Sequence, residues 1–102
     1  MSIKGSPYPR FQRALRTGNL AVIRNAAAEL PRVSLVDALT VCMVIRTADP
    51  DRYERATLRW LARYSLERAH DAADVRAAAD AFAALLDNPD AAVATLRQLA
   101  AR

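Results

Sequence analysis

Apolar residues along this chain recur three and four positions apart, and the runs they form are separated by residues that start or stop helices. Before Arg10 there is no such period. Gly5, Ser6, Pro7 and Pro9 predict a flexible N-terminal arm over residues 1–9, followed by a single helical domain over residues 10–102. The first helix carries Phe11, Ala14 and Leu15 and stops at Gly18, which tolerates the left-handed conformation after a helix end. Asn19 is placed to cap a second helix with Leu20, Ile23, Ala27 and Leu30 on one face. Pro31 ends it, having no N–H for a helical hydrogen bond.

Ser34 opens a third helix, with Asp37 three residues on as in a capping box. Leu35 to Thr47 is apolar nearly all round, which places this helix at the centre of the fold. Its Val41–Ile45 run also fits a buried strand, but no second β-rich run exists to pair with it. Asp49-Pro50 is a start signal for a fourth helix reaching about Ala69. Asp71 with Asp74 opens a fifth, with Val75, Ala78, Ala79, Phe82, Leu85 and Leu86 inward. Asn88-Pro89 opens a sixth, carrying Val93, Leu96 and Leu99. The expectation is an all-α protein: a compact bundle or short stack of five to six helices arranged as helical hairpins. The caps follow no fixed repeat period.

Composition agrees. Of the 102 residues, 23 are Ala and 12 are Leu, the strongest helix formers, while Gly occurs only twice. No apolar run approaches membrane-spanning length, and Lys4 is not followed by the apolar core of a secretory signal. With one cysteine, a reducing cytoplasm is the simplest setting.

Charge is uneven. Residues 1–32 carry six basic and one acidic side chain, residues 33–70 six and five, and residues 71–102 three and five. A basic front and an acidic rear can steer an anionic partner to one end. Fourteen of the fifteen basic residues are Arg, which together with the abundant Ala is also what a GC-rich, bacterial-like coding sequence gives.

The stretch Ala14-Leu15-Arg16-Thr17-Gly18-Asn19-Leu20-Ala21-Val22-Ile23 resembles the inter-helix part of an ankyrin repeat, over about a tenth of the chain. The Thr-Pro-Leu-His opening of that family is missing. What the likeness implies is a common way of turning a helical hairpin, and no function follows from it.

Catalytic chemistry finds little to work with. A Cys–His pair can only be Cys42 with His70, the first in the most apolar segment and the second at a helix end. Ser34 reads as a cap and Ser65 as a helix-surface residue. Zinc lacks its four Cys and His ligands, so no metal and no cofactor are expected. Asp49, Asp51 and Glu54 suggest Mg²⁺ or Ca²⁺, yet acids in a first helical turn are explained by the helix dipole. No glycine-rich loop is present to cradle phosphate.

The fourth helix carries the best candidate site. At 100° per residue Arg52, Arg55, Arg59 and Arg63 fall within roughly 80° of arc, with Tyr53, Trp60 and Tyr64 on the other side. Such a ridge binds anions, either nucleic-acid phosphate or an acidic protein surface, or is simply a solvated face. Arg10, Arg13 and Arg16 are candidate supporting residues. A DNA-reading helix-turn-helix fits poorly, because Asp49, Asp51 and Glu54 would meet the phosphates first. The function expected is a small non-catalytic helical interaction module whose partner is another protein or a second copy of itself, with no membrane partner. The alternatives are a nucleic-acid-associated protein using the Arg-rich face, and an enzyme acting through scattered acids.

Overall fold

Side-chain caps decide where most of these helices begin. In a computed structural model, which describes residues 6–102, the carbonyl oxygen of Asn19 accepts from the backbone N–H of Val22 at 3.2 Å and that of Asn88 from Ala91 at 3.3 Å. The Ser34 hydroxyl accepts from Asp37 N–H and the Asp71 carboxylate from Asp74 N–H, each at 3.1 Å. Each cap satisfies a donor that the first turn leaves without a partner, contributing about 1 kcal/mol. The helices are α1 (Pro7–Thr17), α2 (Leu20–Ala27), α3 (Leu35–Ala48), α4 (Tyr53–Glu67), α5 (Ala72–Ala84) and α6 (Pro89–Ala101). A 3₁₀ turn, Pro50–Arg52, precedes α4, and no strand occurs among the described residues. The protein is all-α.

The chain divides into two compact units, one up to Tyr53 and one from Glu54 onward. In the first, α1 packs on α2, α2 on α3, and α3 on the 3₁₀ turn. Phe11, Ala14 and Ile23 form a buried cluster against which Leu15, Ala26, Ala27, Leu30, Val33, Val41 and Val44 pack. The run from Leu35 to Arg46 has no exposed residue, as the all-round apolar pattern of α3 predicts. It is helical throughout, so the strand reading of Val41–Ile45 falls away.

In the second unit α5 and α6 pack directly on each other. Their buried residues are Ala78, Ala81 and Leu85 from α5 and its end, and Ala92, Leu96 and Ala100 from α6. The many alanines leave little side chain between the two backbones. α4 adds an aromatic cluster. Trp60 stacks on Tyr64 with centroids 5.5 Å apart and meets the ring of Phe82 edge-on at 5.4 Å, both favourable quadrupole arrangements.

Four expectations need correction. Pro7 to Pro9 are helical, so the arm cannot reach Pro9, and residues 1–5 lie outside the described residues. Prolines fit there because first-turn N–H groups have no helical partner to lose. α2 ends at Ala27 rather than Leu30, through the tighter bonds of Glu29 N–H to Ala26 and Leu30 N–H to Ala27. The residue before Pro31 is disfavoured in the helical region. Asp49 does not cap. Its carboxylate pairs with the Arg52 guanidinium at 3.2 Å, and its carbonyl accepts from Arg52 N–H, which makes a 3₁₀ turn and delays α4 to Tyr53. Of the residues expected inward on α5, Ala79 is exposed, and Leu86 is 86% exposed because α5 stops at Ala84 and the chain turns through Asp87 and Asn88, whose N–H groups both bond Ala84.

Candidate functional site: the outer face of α4

Burying Trp60, Tyr64 and Thr57 fixes the rotation of α4 and leaves the opposite side in water. Arg55 and Arg59 are exposed there, and neither side chain has an ion pair or hydrogen bond among the described residues. Arg63 is half-buried, and its guanidinium donates to both Glu67 oxygens, at 2.8 and 3.3 Å. Arg52 lies on the 3₁₀ turn of the first unit, paired with Asp49, so the expected four-residue ridge is a three-residue row on α4. The turn winds at about three residues per turn, which takes Arg52 off the 100° spacing.

The arginines are not alone on this face. Leu58 is 60% and Leu66 87% exposed, with exposed Ala62 between them. Each leucine lies roughly 160° around the helix from the aromatic two positions away, Trp60 or Tyr64. The leucines therefore fall on the same side of the helix as the arginines, and the 100° rotation that groups the arginines is also the signal that locates them. The outer face of α4 is apolar and basic together: Leu58, Ala62 and Leu66 interleaved with Arg55 and Arg59. Lone exposed leucines are common, whereas a row at i, i+4 and i+8 on one helix is a patch.

The supporting arginines belong to the first unit. Arg10 donates to both carboxylate oxygens of Glu29 in a bidentate pair that joins α1 to the turn after α2. Arg10 and Arg13 line an open groove of about 330 Å³ between these helices, with Thr17, Val22, Asn25 and Glu29. Arg16 is exposed in the last turn of α1, beside the negative end of the helix dipole.

The catalytic candidates are held in structural roles. Burial pushes the Cys42 thiol up to about 11, far from a thiolate at neutral pH. His70 is exposed, and its backbone N–H donates to Asp74 at 2.8 Å. Ser34 is engaged as a cap, and the Ser65 hydroxyl donates to the Ala62 carbonyl at 2.7 Å. Asp37, expected to complete a capping box, instead accepts from the Tyr8 hydroxyl at 2.9 Å and ties α1 to α3. Among the described residues no group of three or more His, Cys, Asp or Glu is placed to hold a metal ion, and no helix is long and apolar enough to cross a membrane.

Comparison with protein-family models, with curated proteins and with solved structures found no match to this chain.

Proposed function

We propose that this protein is a small, cytoplasmic, non-catalytic interaction module that binds another protein surface through the outer face of α4. One observation carries the reading: Leu58 and Leu66 stand out in water on a well-packed helix, and Leu58 lies between Arg55 and Arg59, whose side chains have no partner among the described residues. Covering two leucines removes apolar area from water, each worth roughly 1.5–3 kcal/mol when fully buried, and the guanidinium groups can find carboxylates at the rim. The composition of the face favours protein over nucleic acid. Phosphate binding needs uninterrupted cation density, and Arg52, Arg63 and Arg10 already have carboxylate partners.

Fluorescence anisotropy with labelled duplex DNA and single-stranded RNA across a salt series separates the two. The protein-binding reading predicts weak association or none at low salt. Micromolar affinity falling with a log–log slope of about −4 or steeper on duplex DNA would overturn it in favour of the phosphate-binding alternative.

A further inference from the structure

The second unit carries, besides the apolar-basic face of α4, an exposed surface of the opposite charge. Where α5 turns into α6, Leu86 is 86% exposed, and Asp87 and Asp90 beside it are exposed. Neither carboxylate has an ion pair or side-chain hydrogen bond among the described residues, and no basic residue falls between Leu85 and Leu96 in the sequence. One surface thus offers two leucines, Leu58 with the unpaired guanidinium groups of Arg55 and Arg59 on either side of it in the sequence, the other a leucine followed by unpaired carboxylates. We infer that the partner of the α4 face is a second copy of this chain, docking its Leu86–Asp87–Asp90 corner onto Leu58, Leu66, Arg55 and Arg59. This rests on the proposed role of the α4 face and names its occupant.

The contact is heterologous: each copy has one donor corner and one acceptor face, so association adds copies head to tail rather than stopping at a symmetric pair. Both surfaces are small. Three leucines and four charges sit at the weak end of protein interfaces, with a dissociation constant on the order of 0.1 mM. Screening by salt weakens the charged rim, so high ionic strength shifts the equilibrium toward the monomer.

Sedimentation equilibrium from about 10 µM to about 1 mM chain at low salt reads this directly. The wild-type mass is expected to rise with concentration. Arg55→Glu/Arg59→Glu sets like charges against the acidic corner, and Asp87→Lys/Asp90→Lys sets like charges against the arginines, so each variant alone should remain monomeric. An equimolar mixture of the two restores opposite charges and should regain association. All four positions are exposed, so the fold should persist, although Asp90→Lys gives up a helix-dipole interaction at the start of α6; circular dichroism of each variant checks it. A wild-type chain monomeric throughout, or a mixture no more associated than its components, overturns the self-contact. A photoreactive side chain at Ala62 separates this failure from that of the α4 face itself. Adducts in cells to a different protein overturn the second-copy assignment alone, whereas no protein adduct at all overturns both.

Discussion

At Gly18 the backbone takes φ 67°, and its N–H closes α1 by bonding the Leu15 carbonyl at 3.3 Å. A Cβ built there meets nothing within 4 Å, so Gly18→Ala should cost only the left-handed conformation. The expected loss is roughly 1–2 kcal/mol, read as a shifted urea midpoint with an unchanged slope. Tyr53 presents the reverse case. Its hydroxyl is buried with no hydrogen-bond partner among the described residues, and burial raises its pKa. Removing an unsatisfied hydroxyl costs nothing and relieves a desolvation penalty, so Tyr53→Phe should leave stability unchanged or raise it by up to about 1 kcal/mol. Cys42 is the third such residue. With its thiol raised to about 11, the folded protein stays neutral there while the unfolded chain ionises from about pH 9. Stability from this group is complete below pH 9 and declines toward pH 11, by between about 2 and 3 kcal/mol. In folded protein near pH 8, thiol reagents should modify Cys42 only as fast as the chain opens, whereas in denaturant they should react at once.

Helix existence was legible in the sequence because caps and periodicity act locally: Asn19, Ser34, Asp71 and Asn88 each bond the backbone within three residues. Helix ends were less so. A short carboxylate has several suitors, and at Asp49 and Asp37 the winner was a side chain, Arg52 or Tyr8, that no local rule identifies. The apolar pattern of α6 singles out Val93, Leu96 and Leu99, of which Leu96 is buried and the other two partly so, while Ala92 and Ala100 are buried beside it. Small residues go where backbones approach, which hydrophobicity alone does not signal. Two leucines of the α5–α6 pair make the contrast measurable. Leu96→Ala should cost about 2–5 kcal/mol by leaving a cavity, while Leu86→Ala should change stability by less than about 0.5 kcal/mol. The start of α5 adds a pH effect. Asp74 is held below the usual carboxylate range, first by the His70 backbone N–H and then by Arg102, with which it pairs at 3.2 Å. A lowered folded pKa stabilises above the unfolded value and is lost as pH falls through the folded one. Between about pH 5 and about pH 2 the wild type should therefore lose more stability than Asp74→Asn.

Across the whole molecule, the net charge of +4 conceals a basic first third and an acidic last third. That asymmetry was visible from the sequence, and so was the Arg row of α4. The inward side of α4 was legible as well, in the spacing of Tyr53, Trp60 and Tyr64, and the stacking of Trp60 on Tyr64 and its edge contact with Phe82 fix that rotation. Once the aromatics are fixed, Leu58 and Leu66 must face water beside Arg55 and Arg59, and a ridge read as purely cationic becomes a mixed face. The most direct test places a photoreactive residue at Ala62, at the middle of that face, and compares crosslinking in cells between the wild type and Leu58→Glu/Leu66→Glu. An apolar protein-binding face predicts discrete protein adducts that vanish when the leucines are replaced. Adducts that survive the replacement, or that nuclease rather than protease removes, would contradict it.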